Sequence, residues 1–92
     1  MSEKKRVHAV ISGRVQGVFF RMETLRAAEG ISITGWVRNR PDGTVEAVFE
    51  GDAPQVDQLI EWCKNGPPMA SVQRVQVTDE PYTGKFENFS IR

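Results

Sequence analysis

The sequence predicts an α+β domain: an antiparallel sheet with two helices on one face, ordered β-α-β-β-α-β, plus a short C-terminal strand. Three observations carry that expectation. Runs rich in β-branched residues alternate with two stretches of helical apolar periodicity. A Pro-Asp-Gly turn joins two neighbouring strand-like runs. The 92 residues, 39% of them apolar, suffice for one hydrophobic core and not for two.

Met1 to Arg6 is polar and expected to fray, which places the domain at residues 7–92. Val7-His8-Ala9-Val10-Ile11-Ser12 reads as a central strand closed by Gly13. Residues 14–19 follow as a loop around Gly17, and a helix of about ten residues starts near Phe20 or Arg21. Phe20, Thr24, Ala27 and Ile31 form its expected inner stripe. Ile33–Arg40 and Thr44–Gly51 read as an antiparallel hairpin about Pro41-Asp42-Gly43. In its second strand Val45, Ala47 and Phe49 alternate with Glu46 and Glu50, giving a dry face and a wet or edge-lying one. For the second helix Asp52 is the expected cap, Pro54 suits the first turn, and Gln55 stands where a capping box places it. Val56, Leu59, Ile60 and Cys63 repeat on one face, and Asn65-Gly66-Pro67-Pro68 stops the helix. A strand over Val72–Val77, a turn at Tyr82-Thr83-Gly84 and a last strand over Phe86–Ile91 complete the order. Two βαβ halves of this kind make the ferredoxin-like split arrangement.

Composition excludes several functional classes. A charged share of 26% fits neither a disordered chain nor a membrane protein. No run approaches the roughly 18 apolar residues of a spanning helix, and no signal peptide opens the chain. Cys63 is the single cysteine, so no intramolecular disulfide forms, and its place on the apolar stripe marks a small core residue. His8, the single histidine, sits inside a strand and supports neither a structural zinc site nor a Ser-His-Asp set. Neither nucleotide-binding glycine fingerprint is present, and a Cys-x5-Arg loop would need arginine where Met69 stands. Twelve basic residues balance twelve acidic ones, which argues against a uniformly basic nucleic-acid binder. That zero conceals a division: residues 1–40 carry eight Lys/Arg against three Asp/Glu, and residues 41–92 carry four against nine.

Gly13-Arg14-Val15-Gln16-Gly17-Val18-Phe19-Phe20-Arg21 lies between a strand end and a helix start, with no acidic residue in it. Successive amides in such a loop can form an anion nest, and the helix N-terminus adds its own unpaired amides and dipole. A cation in the first helical turn opposes that dipole, at a cost of about 0.3–1 kcal/mol. An anion held between Arg21 and the amides would reverse the sign, and a guanidinium matches phosphate bidentately. Equally, Arg21 could lie across the surface or pair with the acidic residues of the C-terminal half. Asn39 shares the strand face of Val37, and its amide can orient a water while being too weak a base to deprotonate it. An Asn two residues before a Pro-Asp-Gly turn also fits an ordinary strand end. No Asp, Glu, Cys or Ser is placed as base or nucleophile, and Glu23 faces about 200° away from Arg21 on a helix. A phosphotransfer site without base, acid or metal suits a substrate with a good leaving group, such as the carboxylate of a carboxylic–phosphoric anhydride.

The loop motif, followed by Gly35-Trp36-Val37-Arg38-Asn39 and Asp42-Gly43-Thr44-Val45, resembles the acylphosphatase family. The similarity runs from about Val7 through Gly66-Pro67-Pro68 to the closing Phe89-Ser90-Ile91-Arg92. The resemblance implies a small, monomeric, cytoplasmic hydrolase of ferredoxin-like fold. Such an enzyme cleaves a small-molecule acyl phosphate to a carboxylate and inorganic phosphate, with no metal or cofactor, no nucleic acid and no membrane. Carried over by position, Arg21 binds the phosphate together with the backbone amides of Gly13, Arg14, Val15, Gln16, Gly17, Val18, Phe19 and Phe20. Asn39 orients the attacking water, and the substrate phosphate is able to take its proton. Many family members carry Leu-Gly-Leu where this chain has Ile31-Ser32-Ile33, a departure at the end of the first helix and away from the site. Arg40 directly after Asn39 is bulkier than expected there; it would either tune affinity for anions or point outward. A non-catalytic, acylphosphatase-like anion- or RNA-binding module is the alternative, and no strand shows the aromatic and Lys/Arg-rich motif that RNA recognition would need.

Overall fold

The computed structural model describes residues 3–92. Its elements are β1 (Lys4–Arg14), α1 (Phe20–Gly30), β2 (Thr34–Asn39), β3 (Val45–Asp52), α2 (Ala53–Asn65), β4 (Ser71–Glu80) and β5 (Phe89–Ile91). The sheet order is β4-β1-β3-β2-β5. β1 lies between β3 and β4, antiparallel to both, and β2 is antiparallel to β3. This is the α+β ferredoxin-like arrangement, with the expected element order.

Alternation along the strands builds the core on one face only. Val7, Ala9 and Ile11 of β1, Val37 of β2, and Val45, Ala47 and Phe49 of β3 are buried against Phe20 and Ala28 of α1 and Val56, Leu59 and Cys63 of α2. Each fully buried Val, Leu, Ile or Phe contributes about 1.5–3 kcal/mol. α1 covers β2 and β5, while α2 covers β4, β1 and β3. The inner stripe of α1 is Phe20, Thr24 and Ala28, with Ala27 and Ile31 only partly buried beside it. Thr24 is tolerated there because its hydroxyl donates to the Phe20 carbonyl at 2.7 Å. Among the described residues no helix is long and apolar enough to cross a membrane.

Several expectations need correction. The sheet is mixed, because β5 runs parallel to β2, with Gly35, Trp36 and Val37 opposite Phe89, Ser90 and Ile91. β4 ends at the edge where β1 and β2 begin, with Glu80 opposite Arg6, so a chain crossing there returns alongside β2 in the same direction. β1 starts at Lys4, ahead of Val7, because its basic residues are held by acids: Lys4 on Asp52 at 2.6 Å and Lys5 on Asp57 at 2.8 Å. Met1 and Ser2 of the segment expected to fray lie outside the described residues. Asp52 precedes α2 but makes no side-chain cap, since its carboxylate engages Lys4. The Oε1 of Gln55 is buried without a hydrogen-bond partner, so no capping box forms. β5 begins at Phe89 rather than Phe86, since residues 81–88 form a strap over the open face of the sheet. Thr83 and Gly84 of that strap donate to Glu50, which is fully buried rather than wet.

β1, β2 and β5 all run the same way. Their C-terminal ends therefore meet at one edge of the sheet, beside the N-terminus of α1.

Candidate active site

The loop after β1 is shaped by where its side chains can go. Pairing between β1 and β4 becomes irregular between Ser12 and Gly13. A side chain at Gly13, where φ is 122°, would collide with the Ser71 carbonyl. Gly13 and Arg14 still pair with Val72 and Ser71, so the loop proper is residues 15–19. Val15 and Val18 are buried and pin the loop into the core, while Gly17 between them takes φ 75° at the surface. Phe19 is also left-handed, with φ 67°, and serves as the cap position of α1 without a side-chain cap. The first helical bond is from the Glu23 amide to the Phe19 carbonyl at 3.0 Å. Among the described residues no backbone acceptor takes the amides of residues 16–19. The result is a curl of unengaged N–H groups leading into a helix N-terminus.

The β2–β3 turn forms the opposite wall. Gln16 ties it to the loop, its Nε2 donating to the carbonyls of Arg40 at 2.8 Å and Thr44 at 2.9 Å. Asp42 closes the turn by accepting from the Thr44 hydroxyl and amide, and those two bonds hold its carboxyl below the usual carboxylate range. Asn39, the last residue of β2, is half-buried with its Oδ1 fully buried and unpartnered. Arg21 is exposed and pairs with no acid among the described residues. Arg21 and Asn39 line one cavity of about 350 Å³ together with Val15, Gly17, Phe19, Phe20, Met22 and Ile91. Arg40 points away, toward Asp42 at 3.7 Å.

Residues 7–91 match the acylphosphatase family model. The chain belongs to the acylphosphatase family. It is 54% identical over 88 residues to an acylphosphatase of Pelotomaculum thermopropionicum, covering 96% of each chain. The structure of an acylphosphatase from Coxiella burnetii superposes with a TM-score of 0.92 at 37% identity, over 97% of this chain and 93% of that one. An acylphosphatase from Bacillus subtilis gives 0.92 at 35% identity, over 96% and 98%. Similarity of this order over nearly the whole length makes the chain an enzyme of the acylphosphatase type.

Within that family frame, Val15, Gly17, Phe19, Phe20, Arg21 and Asn39 of the expected site line the cavity, whereas Gly13, Arg14, Gln16 and Val18 do not. Met22 and Ile91 line it too and were not anticipated from the sequence. Met22 left a signal, as a large apolar residue on the exposed side of α1 beside Arg21. Ile91 left none, because its position depends on β5 pairing with β2. Cys63 is remote from this chemistry: it is buried in the core, and burial pushes its thiol pKa up to about 12. His8 lies on the opposite face of the sheet, 2.7 Å from Glu46.

Proposed function

We propose that the chain hydrolyses acyl phosphates to a carboxylate and inorganic phosphate, with Arg21 and, of the 13–20 loop, the unengaged amides of residues 16–19 holding the phosphate and Asn39 orienting the water. One observation carries this reading: an unpaired guanidinium, a loop with unengaged amides and Asn39 line one cavity. The Arg21 guanidinium and the N–H dipoles would stabilise the charge on the transferring phosphoryl group. Water donates one hydrogen to Asn39 Oδ1, which leaves a lone pair free for phosphorus. The O–P bond to water forms as the P–O bond to the acyl group breaks, and the proton passes to a phosphate oxygen. The carboxylate departs without a general acid. The reading assigns no metal and takes the enzyme as a cytoplasmic monomer.

The test is phosphate release from benzoyl phosphate by wild type, Arg21→Ala and Asn39→Ala, each with and without a chelator. Arg21→Ala is expected to lose about 10³-fold in kcat/KM and Asn39→Ala about 10²- to 10³-fold, mainly in kcat. Chelator is expected to change nothing. Two fully active variants would overturn the residue assignments, and phosphate binding without turnover would make the domain a non-catalytic anion binder.

A further inference from the structure

The cavity around Arg21 and Asn39 is walled largely by apolar side chains, and a phosphate group has use for none of them. Val15 and Phe20 are buried and belong to the core as well. Phe19, Met22 and Ile91 are different, standing at the rim with 69%, 45% and 37% of their surface exposed. Three separate devices place them there. Phe19 is set by its left-handed backbone at the loop–helix junction. Met22 follows Arg21 in the first turn of α1. Ile91 is brought in by the parallel docking of β5 on β2, secured by the Arg92 amide on the Val37 carbonyl at 2.9 Å. The largely apolar surface also continues past Phe19, which borders a second hollow of about 240 Å³ with Val18, Glu23, Pro67, Pro68 and Met69.

An exposed apolar rim contiguous with a cationic, amide-lined centre fits a ligand with an anionic head and an apolar body. In an acyl phosphate a single oxygen separates phosphorus from the acyl carbon. A phosphate seated on the loop amides therefore delivers the acyl group to the rim. We infer that Phe19, Met22 and Ile91 form an acyl-binding rim, selecting acyl phosphates with an aliphatic chain of several carbons or an aromatic ring over acetyl phosphate. The inference rests on the hydrolase reading above and adds the part of the substrate that reading leaves open. Contacts to the acyl body are the same before and during phosphoryl transfer, so the selection acts on KM more than on kcat.

Steady-state kinetics with acetyl, butyryl, hexanoyl and benzoyl phosphate test this, on wild type, Met22→Ser, Ile91→Ser and the double variant. In wild type kcat/KM rises about two- to fourfold per added methylene, mostly through KM. In the variants the hexanoyl-to-acetyl ratio of kcat/KM falls, most in the double variant. This ratio does not depend on how much of a sample is folded. Equal kcat/KM for all four substrates, or an undiminished ratio in the double variant, overturns the rim while leaving the hydrolase reading intact. Hydrolysis of none of the four overturns that reading and the rim with it.

Discussion

Among the described residues Phe19 and Ser32 are the non-glycine positions with positive φ, at 67° and 60°, and they differ in what they gain. Phe19 projects its ring into the rim of the cavity. Ser32 sits in the turn after α1, where its amide bonds the Glu29 carbonyl at 3.4 Å and its exposed side chain has no partner among the described residues to offset the strain. Ser32→Gly should therefore stabilise the fold by about 0.5–1 kcal/mol, the left-handed penalty less glycine's extra entropy. Thermal unfolding checks it, with a rise of about 2–8 °C expected for a domain of this size. Cys63 gives a second expectation: its buried thiol stays unreactive toward a thiol reagent until the protein unfolds. At this scale legibility followed broken local rules. Arg21 showed itself by opposing the helix dipole. Asn39 was ambiguous alone, because the burial of its unpartnered oxygen is a property of the folded chain and not of the strand end.

Between elements, the strap of residues 81–88 is held down by one buried carboxylate. Glu50 accepts from the Thr83 amide and hydroxyl, the Gly84 amide and the Arg6 guanidinium, at 2.9–3.2 Å. Arg6 also donates to Glu80 and lies 5.5 Å over the Phe86 ring. Burial pushes the Glu50 pKa up, but the donors outweigh it and hold the group below its ordinary 4.5. A lowered folded pKa contributes stability that is fully present above the unfolded value and lost as pH falls through the folded one. Stability should thus decline below about pH 4.5, with Glu46, lowered by its bonds from His8 and Arg38, acting in the same sense. Glu50→Gln should destabilise the fold by about 2–4 kcal/mol at neutral pH and flatten that acid limb, read from denaturant melts across pH. None of this strap was legible. A glutamate alternating with apolar residues reads as a wet position, and three residues of β5 do not encode which strand they join. The hairpin and both helices were legible, because their periodicity and turn residues are local.

Over the whole molecule, folding largely undoes the charge division along the chain. β1 lies against β3, β4 and α2, so Lys4, Lys5, Arg6 and His8 of the basic half meet Asp52, Asp57, Glu50, Glu80 and Glu46 of the acidic half. Arg21 is left without an acid at the cavity. The exposed pairs among these contacts, Lys4–Asp52 and Lys5–Asp57, contribute about 0–1 kcal/mol each, so salt should shift thermal stability by only a few degrees. KM for a dianionic acyl phosphate should rise several-fold between low and 0.5 M salt, roughly as screening weakens attraction to the site. The proposed site divides labour: Arg21 and the loop amides hold phosphate while Asn39 places water. The most direct test is the inhibition constant of inorganic phosphate measured beside kcat in Arg21→Ala and Asn39→Ala. Arg21→Ala is expected to lose phosphate inhibition by about a hundredfold or more, whereas Asn39→Ala keeps it within about threefold while kcat collapses. Equal loss of phosphate inhibition in both variants, or its retention in Arg21→Ala, would contradict that division.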